Sequence, residues 1–197
     1  MRTLILPALL AGTPLAAQDY PQTFEHRFGT TVIDAQPVRI VSLSYQNHDN
    51  FLALGVVPVG LRRWYGDHPH GVWPWAEAAL AGSTPVVLEG DINPEQIAAL
   101  EPDVIEAMWS GLTQEEYDIL SQIAPVVAAE AQYGDYTTPW DVLVETTGRI
   151  AGRSDEAAVQ LAALRERMAG IAAANPGWQG QTVATATPCC PAPVSAM

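Results

Sequence analysis

Asn93-Pro94-Glu95-Gln96-Ile97-Ala98-Ala99-Leu100-Glu101-Pro102-Asp103-Val104-Ile105-Glu106-Ala107-Met108 is the stretch whose reading decides the fold. Asn93 offers a side-chain oxygen to the free amides of a first helical turn, and Pro94 suits the next position, where a missing N–H costs nothing. The helix so opened runs to Leu100 and ends at Pro102, which cannot continue it. Residues 103–108 then read as a strand. A short helix handing over directly to an apolar strand is half of a strand–helix repeat, and the same rhythm extends in both directions.

Upstream, residues 38–44 (VRIVSLS) form a buried strand, and 47–54 a short helix stopped by Gly55. Residues 56–61 give a second strand, 64–75 an aromatic loop, 75–81 a short helix and 85–88 a brief strand. Downstream, Thr113-Gln114-Glu115-Glu116 is a capping box for a helix to Ile123, followed by a strand at 124–128. Thr138 is expected to cap a helix from Pro139 to about Ile150. Residues 154–174 form a long amphipathic helix with Ala157, Leu161, Leu164, Met168 and Ile171 on one face. Residues 182–186 start another strand, and 23–33 suggest a hairpin around Gly29. Short strands alternating with helices predict an α/β fold, a Rossmann-like lobe with a mostly parallel sheet.

The 197 residues carry 22 acids against 9 bases, all of them Arg, for a net charge of −13. Nucleic-acid binding draws its affinity from clustered cations, and adhesion to anionic lipid does the same, so both are disfavoured. Residues 1–17 read as a secretory signal peptide: Arg2, a short apolar core, then small residues ending at Ala17. Its removal leaves 8 bases against 22 acids, a charge of −14. The expected location is therefore the periplasm. Cys189 and Cys190 are adjacent, a geometry that rarely suits a structural disulfide.

Charge is unevenly spread. Between Ile40 and Gly148 there are 16 acids and two bases, Arg62 and Arg63. They sit next to Trp64 and Tyr65, at the carboxyl end of a strand, where open α/β sheets bind ligands. Tyr45 and the pair Trp109-Ser110 follow two further strands. Forked Arg donors with flat rings suit an anionic ligand with apolar parts. The alternative is that one Arg pairs with Asp67 or a helix carboxylate and merely balances charge. Trp73 and Trp75, at the opening of a helix, are expected in the core. His68 and His70 could hold a transition metal with His48, although Pro69 restricts their convergence. Asp49 reads as a first-turn dipole partner. Nucleophile-elbow, Walker, dinucleotide and HExxH motifs are absent from the sequence, so binding is favoured over catalysis.

Residues 38–60 (VRIVSLSYQNHDNFLALGVVPVG), 93–105 (NPEQIAALEPDVI) and Met108-Trp109-Ser110-Gly111 with the following TQEEY resemble ABC-transporter substrate-binding proteins of the iron–siderophore and cobalamin type. The segment WYGD…GVWPW is similar to the iron–siderophore branch. The resemblance implies two α/β lobes joined by a long helix, with the ligand between them. On that plan residues 18–37 precede the first lobe, 38–140 are that ligand-binding lobe, 141–175 the helical connector, and 176–197 the start of a second lobe largely absent from this chain. The implied ligand is a ferric siderophore or similar iron chelate, held by Tyr45, Arg62, Arg63, Trp64, Tyr65, Trp109 and Ser110. Iron would arrive inside its chelate, so no cofactor and no protein metal ligands are expected. Glu95 falls where relatives dock on the permease, though a first-turn carboxylate needs no partner. A monomer is expected. The rival readings are cobalamin or haem binding, and a small metal carrier or enzyme using His48, His68 and His70.

Overall fold

The computed structural model describes residues 20–183. The segment expected to be a signal peptide, Cys189-Cys190 and most of the strand expected at 182–186 lie outside the described residues; Thr182 and Val183 are not in a strand. An antiparallel hairpin comes first, β1 (Gln22–His26) and β2 (Gly29–Ile33), turning at Gly29 as its sequence suggests. Five parallel strands follow: β3 (Ile40–Ser42), β4 (Gly60–Arg62), β5 (Val86–Leu88), β6 (Val104–Ala107) and β7 (Val126–Ala128). Their order in the sheet is β5-β4-β3-β6-β7. The chain therefore winds outward from β3 in one direction, returns, and winds outward in the other.

The strands are shorter than the apolar runs that encode them, and both faces of β3, β4, β6 and β7 are buried, while the edge strand β5 exposes Val86. Ile40, Val104 and Val127 point to one side with Phe51, Leu143 and Ile150, while Val41, Ile105 and Val126 point to the other with Ile97 and Leu120. Two-sided burial is why these segments read as continuous hydrophobic runs with no polar alternation.

The helices are α1 (His48–Ala53), α2 (Pro94–Ala98), α3 (Gln114–Leu120), α4 (Trp140–Ala151) and α5 (Ser154–Ala174). The Asn93 side chain accepts from the Glu95 and Gln96 amides, and the Thr113–Glu116 capping box is formed. Pro102-Asp103 has a structural use as well. The Asp103 carboxylate accepts the Val38 and Arg39 amides (2.8 Å each), pinning the entry to β3 beside the start of β6.

Three local expectations are corrected. Thr138 does not cap α4; it is buried and its hydroxyl donates to the Met108 carbonyl (3.4 Å), so Pro139 opens the helix without a side-chain cap. The helix at 75–81 is a single 3₁₀ turn, Glu77–Leu80, because Pro74 and a left-handed Ala81 leave no room for more. On α5 only Ala157 and Leu161 of the proposed stripe are buried; Leu164, Met168 and Ile171 are exposed. The chain contacts close into a compact unit ending at Leu161, and residues from Ala162 form a unit of their own.

Candidate functional site

The winding reverses between β3 and β6, and beyond their carboxyl ends lies the place where a doubly wound sheet binds ligands. A buried polar knot fixes the two loops that leave these strands. Ser42 Oγ donates to Glu106 Oε2 (2.7 Å), Ser44 Oγ donates to Glu106 Oε1, and the Met108 amide donates to the same oxygen (2.8 Å). The Trp109 amide donates to Ser44 Oγ (2.7 Å), joining one loop to the other. Burial pushes the Glu106 carboxyl above its ordinary value, against hydrogen bonds that pull it down. Glu106 stands out in sequence as the one charged residue of an apolar strand, but its partners come from the neighbouring strand and loop.

Above the knot lie the residues singled out from sequence. Arg62 is only 8% exposed. Its guanidinium stacks on the Tyr45 ring at 4.4 Å from the centroid. Its N–H groups donate to the Gly90 carbonyl (3.1 and 3.3 Å) and the Ser110 carbonyl (3.1 Å). No carboxylate among the described residues pairs with it. Arg63 behaves differently: Nε donates to Glu89 Oε1 (2.6 Å) and Nη1 to the Gly66 and His68 carbonyls, so it staples the aromatic loop. Its carboxylate partner is neither Asp67 nor on a helix. Ser110 contributes its carbonyl alone, since its hydroxyl donates to Ala107 O (2.9 Å) and accepts the Leu112 amide (3.2 Å).

The rings form a continuous chain. Tyr45 lies 6.5 Å from Trp64, Trp64 meets Tyr65 edge-on at 4.4 Å, and Tyr65 meets Trp73 at 5.3 Å. Trp73 and Trp75 are expected in the core, yet Trp75 is 69% exposed and Trp73 half-buried, stacked parallel at 5.1 Å. Val72, Ala76 and Leu80 fill the core instead, because the residues between them face outward on a turn too short to bury both sets. On the other side Trp109 is half-buried and meets Tyr136 edge-on.

Tyr136 is the residue that sequence reasoning misses. It lies 6.0 Å from Tyr45, and its hydroxyl donates to the Ser110 carbonyl (3.4 Å). Its φ of 60° is a left-handed conformation uncommon for a bulky residue, and such strain gathers at functional sites. Gly111 makes room for it: a Cβ there would lie 2.1 Å from Tyr136 Oη. Burial raises the Tyr136 hydroxyl above its ordinary value.

The histidines do not converge. His48 is the buried first residue of α1, His68 lies on Trp73 at 4.4 Å, and no group of three metal-ligating side chains comes together among the described residues. Glu95 is exposed on the first turn of α2. A separate hollow of about 200 Å³ lies between β1, β7 and α4, and contains none of the residues singled out from sequence.

The carboxyl edge of this doubly wound lobe thus gathers a buried Arg62 with no carboxylate partner among the described residues and a row of aromatic rings. The family model described as periplasmic binding protein matches residues 40–188, and the chain belongs to this family. It is 39% identical over 121 residues to the probable siderophore-binding lipoprotein YfiY of Bacillus subtilis, covering 58% of this chain and 35% of that one. Its structure resembles a periplasmic solute-binding protein from Mycobacterium smegmatis, with a TM-score of 0.73 and 37% identity over 78% of this chain and 54% of the other. It also resembles PiaA of Streptococcus pneumoniae in complex with ferrichrome, with a TM-score of 0.67 and 32% identity over 80% and 54%. The chain thus spans about half the length of these relatives or less.

Proposed function

We propose that this chain is the siderophore-binding lobe of an exported solute-binding protein that delivers a ferric siderophore or similar iron chelate to an ABC importer. It works without covalent chemistry, as a monomer in the periplasm, with iron held inside the chelate. Family membership and the siderophore ligands of its relatives support the reading. The observation that carries it is Arg62: a guanidinium more than nine-tenths buried, stacked on Tyr45, without a carboxylate, at the reversal point of the sheet. A buried cation that only carbonyl dipoles and a ring satisfy is complementary to an oxygen-rich ligand. Tyr45, Trp64, Tyr65, Trp109 and Tyr136 supply the apolar contact around it, and Arg63 holds the loop that carries two of them. Glu95 is proposed as a contact with the permease.

Tryptophan-fluorescence titration with ferric siderophores tests this. Arg62→Ala is expected to weaken binding by more than about tenfold, the scale of one lost buried charge contact. Arg63→Ala is expected to cost less. Equal affinity in wild type and Arg62→Ala would overturn the assignment.

A further inference from the structure

The row of rings closes on itself. Trp75 Nε1 donates to Asp49 Oδ2 (2.8 Å), which brings the far end of the aromatic loop back to α1, immediately after Tyr45. Tyr45, Trp64, Tyr65, Trp73, Trp75 and Asp49 thereby wall a cup of about 380 Å³. His48 lies under it, 2% exposed, with its Nε2 3.6 Å from the buried Asp49 Oδ1, too long for a hydrogen bond, so that neither ring nitrogen nor that oxygen has a hydrogen-bond partner. Burial pushes the His48 imidazole below its ordinary value of 6.5, so its neutral form prevails at neutral pH. No Arg lines the cup and the chain has no Lys, so an anion would meet no charge partner there.

Electron-rich rings lining a hollow beside a single carboxylate have the opposite preference. Aromatic rings attract an ammonium through their quadrupoles, most strongly where water is excluded, and a carboxylate at the wall adds its own charge. The cup volume suits a substituted ammonium and is too small for a whole chelate, and the net charge of −13 draws cations toward it. We propose that this cup is a binding site for an alkylammonium group carried on the iron chelate. The preferred ligand is then a chelate with iron-binding oxygens facing Arg62 and a positively charged amine arm seated among Trp64, Tyr65, Trp73 and Trp75. This rests on the proposed siderophore function for the carrier of the amine, and on the cup alone for its chemistry.

Two pairs of probes test it on the full chain by tryptophan fluorescence. The first pair is ferrioxamine B, whose terminal amine is free, and the same ferric chelate N-acetylated on that amine. The second is choline and its uncharged isostere 3,3-dimethylbutan-1-ol. The free-amine chelate is expected to bind about tenfold tighter than the acetylated one, and choline to bind where the isostere does not. Asp49→Asn keeps an acceptor for Trp75 and is expected to abolish both preferences; Trp73→Leu serves as a second variant. Equal binding within both pairs would overturn the proposal while leaving chelate binding intact. Discrimination of choline from its isostere with no chelate bound would support the cup and sink the siderophore reading. Discrimination of choline with equal chelate affinities would overturn the chelate as the carrier of the ammonium.

Discussion

Glu106 and His48 are both buried titratable groups, and they bias stability in opposite senses. The Glu106 carboxyl is raised above its ordinary 4.5, so as pH climbs past that value the unfolded chain loses its proton first and stability falls. His48 is lowered from 6.5, so as pH drops below that value the unfolded chain gains a proton first and stability again falls. His26, also lowered by burial, adds to the acid-side loss. Relative to wild type, Glu106→Gln is therefore expected to gain stability as pH rises from about 4.5 to 7.5, and His48→Asn to gain it as pH falls from about 7 to 5. Urea unfolding midpoints across that range check both; a pH-independent difference would contradict the shifts. Glu106→Leu, which strands Ser42, Ser44 and the Met108 amide, is expected to cost about 3 kcal/mol near pH 4.5 and less as pH rises, because the wild-type chain itself loses stability there. Residue identity alone marked Arg62, Tyr45 and Trp64 because scarce cations and rings stand out in an acidic chain. It could not assign the roles of Glu106 or Tyr136, which depend on what a neighbouring strand or loop brings to them.

Two of the three caps expected from sequence form, while the Thr138 hydroxyl is drawn to the Met108 carbonyl, and the long helix buries less of its apolar stripe than its spacing suggests. Caps are satisfied by atoms two or three residues away, so Asn93 and Thr113 are legible in the sequence and form as expected. Burial depends on a second element. Along α5, Ala157 and Leu161 pack with Leu54 and Val144, but Met168 and Ile171, equally apolar and at the same spacing, are exposed. Leu161→Ala is expected to cost about 2–3 kcal/mol, and Met168→Ala less than about 0.5 kcal/mol, measured by thermal or urea unfolding. The join between α4 and α5 is tighter still. A Cβ at Gly148 would lie 2.5 Å from the Ala157 methyl and 3.1 Å from the Arg153 carbonyl. Gly148→Ala is therefore expected to destabilise by about 1–3 kcal/mol despite the better helix propensity of Ala, and stabilisation would show that the helices can part.

For the whole molecule, the compact unit ends at Leu161, and the next Arg residues, Arg165 and Arg167, are exposed. Without Lys in the chain, trypsin can cut only at Arg. Among the described residues the first cuts are expected at Arg165 and Arg167, leaving a product whose Tm stays within about 2 °C of the intact chain. First cleavage at Arg39, Arg62 or Arg149 would show that the sheet opens before the helix end. The parallel α/β lobe, its strand–helix rhythm and the excess of acid over base were fixed by the sequence alone, because they arise from patterns a few residues long. The meeting of Tyr45, Arg62, Trp109 and Tyr136 was not. Strand order, set by which apolar faces pack together, decides which loops become neighbours, and only tertiary structure fixes that order. It also separated the two arginines, leaving Arg62 buried and uncompensated and Arg63 bound to Glu89, and it turned Trp73 and Trp75 out of the core into the wall of a cup.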